Sequence, residues 1–175
     1  MKELDAKLLK KFLHLAGNSL EGKWILVGGT LLPALGINVR STIDIDLVGL
    51  GEREANQSLE LMELAEKLGL SVESINQSAA FFLKKIKYDK GDLLLLHQGK
   101  KATLYRPSLE LYWKLKVGRL SETDALDCQH YYSYCVTKKD PISYKALTKI
   151  LKSALTSDTP PEKAARLIIL EKLIS

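Results

Sequence analysis

The chain has 175 residues, of which 46% are apolar, and carries a formal net charge of +5. That length buries a real core and suits one compact domain, or a small α/β domain with a helical appendage. No apolar run approaches the roughly 20 residues of a membrane span, and the opening Met1-Lys2-Glu3-Leu4-Asp5 is too charged for a signal peptide. Cys128 and Cys135 make no disulfide framework and fall in one predicted helix, so a cytoplasmic protein without a membrane partner is expected. The basic excess favours anionic partners such as nucleotides or RNA only weakly. Much of it lies in Lys84, Lys85, Lys87, Lys90, Lys100 and Lys101, which read either as an electrostatic footprint for phosphates or as a solvated face.

In chain order, Leu4, Leu8, Leu9, Phe12, Leu13 and Ala16 have helical spacing and predict a helix over 3–16, closed by Gly17-Asn18. Trp24 to Val27 is too short for a helix and predicts a buried strand. A Gly28-Gly29 turn follows, and Thr30 to Leu35 predicts a short helix with Pro33 in its first turn. Ile43 to Val48 predicts the second strand, ended by Gly49 and Gly51. Helical spacing returns over 54–68, with Gly69 as its cap, and 71–75 predicts a strand. Residues 77–88 fit helix or strand equally. Asp92 to His97 and Ala102 to Tyr105 flank a polar turn and predict a hairpin.

From Pro107-Ser108 onward the pattern is helical, over about 108–118, 122–136, 143–156 and 160–174. Ser121-Glu-Thr-Asp124 and Thr159-Pro-Pro-Glu162 have the spacing of capping boxes. The expected organisation is an α/β core over 1–106, a small mixed sheet flanked by helices, with a helical module over 107–175 packed on it.

The chemistry concentrates at Asp44-Ile45-Asp46. On a strand, residues two apart share a face, about 6.6 Å apart along the strand. Two carboxylates beside Ile and Leu are costly to bury unless a cation lies between them. Acidic residues are depleted in strands, which favours a metal clamp over ordinary edge-strand acids. A pair of Mg²⁺ ions, typically about 3.5–4 Å apart in two-metal sites, suits such a clamp. Upstream, strand, Gly28-Gly29-Thr30 and helix make a phosphate-cradling order: the glycines admit a ligand close to backbone, and the helix N-terminus and Thr30 hydroxyl offer donors. No Gly-Lys-Ser/Thr follows, so it is not a P-loop, and no third glycine makes a dinucleotide fingerprint.

Gly-Gly-Thr followed fourteen positions on by Asp-Ile-Asp resembles the signature of the nucleotidyltransferase superfamily with the DNA polymerase β-like fold. Val27 to Gly36 and Arg40-Ser-Thr42-Ile-Asp44-Ile-Asp46-Leu47 look most like its small prokaryotic branch, which includes AbiEii-type toxins and stand-alone domains. Leu111-Tyr-Trp-Lys114-Leu-Lys116-Val-Gly-Arg119 and Asp124-Ala-Leu-Asp127 are similar to that branch's helical elements, where a lysine and an aspartate face the active site. The similarity covers about 24–48 and 109–128.

The resemblance implies a divalent-metal pair, Mg²⁺ or Mn²⁺, held by Asp44, Asp46 and a third carboxylate, for which Asp92 is the best placed; Asp92 equally reads as a turn residue after Lys90-Gly91. It implies that Gly28, Gly29 and Thr30 hold the phosphates of an NTP, with Arg40 and Thr42 beside them, and that Lys114 reaches the triphosphate with Asp124 orienting it. Lys116 competes for that role, but it lies about 200° around the helix from Lys114, so one of the two faces away. Asp124 also reads as the capping-box acid, Arg40 as the partner of a carboxylate, and Asp127 lies one turn after Asp124 on a similar face.

The implied activity is transfer of an NMP from an NTP, such as ATP, to a hydroxyl of an RNA or tRNA end, a protein side chain or a small molecule. The alternatives are a toxin–antitoxin component with a cognate protein partner, and a non-catalytic nucleotide- or RNA-binding module. Cys128-x-His130 with Cys135 has no zinc spacing and reads as helix core and surface. Tyr131, Tyr132 and Tyr134 read as helix packing before base stacking, and His97 as structural.

Overall fold

A computed structural model describes residues 4–175, and the chain divides into two compact units. One comprises the residues up to Lys85 together with Leu93–Pro107; the other comprises Ile86–Asp92 and Ser108–Ser175. The division differs from a single cut at 106/107. Ser108 donates its backbone N–H to the carbonyl of Asp92 at 2.7 Å, and Lys114 Nζ donates to the carbonyl of Lys87 at 3.0 Å, so Ile86–Asp92 goes with the helices.

The first unit is mixed α/β. It contains α1 (Ala6–Ser19), β1 (Gly22–Val27), α2 (Leu31–Ala34), β2 (Ile45–Gly49), α3 (Glu52–Ala55), α4 (Ser58–Lys67), β3 (Ile75–Asn76), α5 (Ala80–Leu83), β4 (Leu93–Gln98) and β5 (Ala102–Pro107). The strands form one open sheet in the order β3-β2-β1-β5-β4. β1 runs antiparallel to β2 and parallel to β5; β2–β3 is parallel, and β4–β5 is an antiparallel hairpin with an irregularity between Leu95 and His97. Trp24, Ile25, Leu26 and Val27 are all buried, as the apolar run requires of a central strand covered on both faces. Leu9, Phe12, Leu13 and Ala16 of α1 complete the core.

Several elements depart from the sequence pattern, each for a local reason. α1 runs through Gly17-Asn18 to Ser19. A Cβ on Gly17 would lie 2.9 Å from Gly99 Cα, so this glycine allows backbones to approach rather than ending the helix. Lys101 N–H then donates to the Gly17 carbonyl at 3.0 Å, and Lys100 N–H to Asn18 Oδ1 at 3.1 Å. The helix expected over 54–68 breaks at Asn56-Gln57, because the buried Gln57 amide bonds both the N–H and the carbonyl of Glu21, each at 2.9 Å. The strand expected over 71–75 reduces to Ile75–Asn76, since Ser71 to Ser74 close a turn.

The second unit holds α6 (Leu109–Val117), α7 (Glu122–Lys138), α8 (Tyr144–Ala154) and α9 (Pro161–Ile174), preceded by the 3-10 turn Lys90–Asp92. α6 is its hub, packing against α7 and α8 with Leu109, Leu111, Tyr112, Trp113, Lys116 and Val117 buried. Tyr131 packs against Tyr112 with ring centroids 4.6 Å apart and the rings tilted by 59°, the packing role expected of the tyrosine cluster. Cys128 and Cys135 are buried and not joined in a disulfide; burial pushes the Cys128 thiol up, which makes it inert. Thr159-Pro-Pro-Glu162 is not a capping box. Pro160 is the cap residue, and Thr159 Oγ1 instead accepts the Thr156 N–H at 2.7 Å. Among the described residues no helix is long and apolar enough to cross a membrane.

Candidate functional site

The antiparallel register sets Asp46 of β2 opposite Val27, the last residue of β1, and therefore beside the turn that follows. Gly28 occupies the left-handed region with φ +72°, and a Cβ there would run into the Asp46 carboxylate. Both the backbone angle and the space require glycine. A Cβ on Gly29 would likewise collide with the Arg40 guanidinium. The Gly-Gly turn is thus the floor on which one carboxylate and one guanidinium are seated. A cavity of about 380 Å³ adjoins it, lined by Pro33, Asn38, Val39, Arg40 and Ser41 with the start of α1.

Thr30 is fully buried, and its hydroxyl donates to the Asp44 carbonyl. Thr42 Oγ1 donates weakly to the same oxygen at 3.4 Å. These hydroxyls tie down the chain that enters β2. The strand expected from Ile43 begins only at Ile45, whose N–H donates to the Ser74 carbonyl at 2.6 Å. Asp44 therefore precedes the strand. Its side chain is exposed, whereas Asp46 is half-buried. The two acids are neighbours by sequence, but not two residues of one paired strand. The helix expected over Thr30–Leu35 is the single turn α2, Leu31–Ala34, too short to add a substantial dipole.

In the helical unit the candidates separate. Asp92 closes the 3-10 turn: its Oδ1 accepts the Ser108 hydroxyl at 2.6 Å and its Oδ2 the Asp89 N–H at 3.0 Å. Lys114 is half-exposed and donates to a carbonyl. The lysine that Asp124 meets is Lys116, not Lys114. Lys116 Nζ lies 3.0 Å from both Asp124 Oδ1 and Asp127 Oδ2, with both acids 1% exposed. Arg119 adds two bonds to Asp124 at 2.7 and 2.9 Å. Asp124 also completes the capping box with Ser121, so its capping and lysine-pairing roles coexist. Burial by itself would raise the Asp124 carboxyl, but the bonds from Arg119, Lys116 and Ser121 outweigh it and hold the group well below the usual carboxylate range. The Arg119 guanidinium is raised in turn, chiefly by its bond to Asp124.

Sequence alone sets Lys116 against Lys114 as a competitor and gives Arg119 and Asp127 no role of their own. Their mutual spacing along α6 and α7 is the signal that would have joined them.

Carboxylate oxygens are hard ligands, and Mg²⁺ is commonly bound by one or two carboxylates together with substrate phosphates. Asp44 and Asp46 fit that chemistry by donor type, and the Asp46 carboxylate itself fills the space that a side chain on Gly28 would take. Among the described residues no group of three or more His, Cys, Asp or Glu side chains forms a ligand set. Comparison with protein-family models, curated proteins and solved structures gave no match to this chain.

Proposed function

We propose that the sheet-bearing unit is a nucleotidyltransferase domain of the polymerase-β-like kind, moving an NMP from an NTP to a hydroxyl acceptor. The observation that carries this reading is the seating of the Asp46 carboxylate on Gly28 and of the Arg40 guanidinium on Gly29. Order adds support: β1, the Gly-Gly turn, a short helix, then an antiparallel strand bearing Asp46.

Asp44 and Asp46 would hold Mg²⁺, which when bound supplies Lewis-acid stabilisation of phosphate charge. Arg40, seated on Gly29, would supply a fixed positive charge to phosphate oxygens that approach the Gly28-Gly29 turn. Thr30 and Thr42 act through the Asp44 carbonyl, as positioning residues. In the reaction the acceptor oxygen bonds to the α-phosphorus. The bond from that phosphorus to the bridging oxygen breaks, pyrophosphate leaves with the electron pair, and the hydroxyl proton passes to water.

The test is transfer of α-labelled NTPs, with Mg²⁺, into RNA and protein acceptors by the wild type and by Asp46→Asn. Label that persists in the variant sinks the mechanism.

A second reading is a nucleotide-binding module without catalysis. It is favoured by Asp92, whose two carboxylate oxygens are both used in holding the fold, one by the Asp89 N–H and the other by the Ser108 hydroxyl. Calorimetric binding of Mg-NTP with no transfer to any acceptor selects it.

A further inference from the structure

A cavity of about 760 Å³ lies among α6, α8 and α9 in the helical unit. That is within the roughly 300–1,000 Å³ of small-molecule sites. Its lining is largely aliphatic, with Ile86, Val117 and Ile150, together with the hydroxyls of Ser153, Thr156 and Thr159, and no aromatic side chain lines it. Three lysines stand at its edge: Lys114, Lys149 and Lys163. Two are pinned by their ammonium groups to backbone carbonyls, Lys114 to Lys87 at 3.0 Å and Lys163 to Gly118 at 2.8 Å. Among the described residues none of the three has a carboxylate partner, and Asp158 is the sole acid in the lining. A carbonyl orients an ammonium without cancelling its charge, so the rim presents fixed cations above an apolar floor.

We propose that this cavity binds a small aliphatic carboxylate, such as a medium-chain fatty-acid anion. The chain lies on Ile86, Val117 and Ile150, and the carboxylate meets Lys149, the exposed lysine of the rim. The charge of the rim selects an anion, because a neutral head group leaves the lysines uncompensated. An aliphatic floor without a ring to stack on selects an alkyl body over a nucleobase. The site is independent of the proposed transfer chemistry, since it uses neither Asp44 nor Asp46.

Gly118 provides a means of blocking the cavity. It has helical φ −58° and ψ −49°, and a Cβ there meets nothing within 4 Å. Gly118 is among the lining residues, so Gly118→Leu adds a side chain at the cavity wall without backbone strain. The experiment is titration calorimetry of the full chain with sodium decanoate, with thermal melts confirming that each variant is folded. Saturable binding is expected for the wild type, with loss in Gly118→Leu and weakening of about tenfold in Lys149→Glu. Absence of saturable decanoate binding overturns the proposal. So does decanol binding as tightly as decanoate, ADP displacing decanoate from the cavity, or unchanged binding in folded Gly118→Leu.

Discussion

The turn at Gly28-Gly29 and the cluster around Lys116 both gather aspartates, and they treat them in opposite ways. In the helical unit Asp124 and Asp127 are buried, and Lys116, Arg119 and the Ser121 cap account for their charge and lone pairs. At the turn Asp44 is exposed and anchored through its backbone carbonyl, while Asp46 is half-buried over a glycine that leaves space for it. A closed network serves the fold. On the proposed reading, the accessible carboxylates at the Gly-Gly turn are the ones that meet a ligand. Acid content alone does not separate the two; burial does.

The contrast breaks most sharply at Asp124. Asp124→Ala leaves Lys116 with one acid, removes the Asp124 half of the capping box on α7 and frees Arg119, so a loss of about 3–5 kcal/mol is expected in urea denaturation. Asp46→Asn should stay within about 1 kcal/mol of wild type in the same measurement, while abolishing the proposed transfer. A small stability loss at Asp124, or a large one at Asp46, would reverse the assignment of roles.

The pH dependence carries the same distinction. The Asp124 carboxyl is lowered in the folded state. Its contribution is therefore full above the unfolded pKa of about 3.9 and is lost progressively as pH falls below that toward the folded value. Denaturation series between about pH 6 and 2 should show a steep decline in wild type and a shallower one in Asp124→Asn.

Smaller effects probe the turn. Gly28→Ala must adopt φ +72° and push against the Asp46 carboxylate, which is expected to cost about 1–3 kcal/mol together with transfer activity. Thr30→Val keeps the volume but removes the hydroxyl bonded to the Asp44 carbonyl. A loss of about 1–2 kcal/mol is expected, with faster amide exchange at Asp44 and Ile45 as the readout. Least of all, Ser143→Ala removes an exposed cap from α8, whose side chain accepts the Ala146 N–H, and should cost about 0.5–1 kcal/mol.

Helices from Ser108 onward were legible from apolar spacing, with Ser caps at α6, α7 and α8 and prolines at the start of α9. The hairpin of β4 and β5 was legible from two apolar runs flanking a polar turn. Gly17 misled, since a glycine that ends a helix and one that admits a neighbouring backbone look alike in sequence. Lys114 and Lys116 could be told to face different ways, but not which way was inward. That depended on where α7 brings Asp124 and Asp127.

By itself the sequence determined that Asp46 follows a Gly-Gly turn, that the front of the chain is mixed α/β and that the back is helical. These follow from local periodicity and backbone freedom. Tertiary structure decided that Asp46 rests on Gly28, that Asp44 stands outside the strand and is held by Thr30, and that Lys116 is the buried lysine. Each of these depends on strand register or helix packing, which join residues far apart in the chain and which no local spacing encodes.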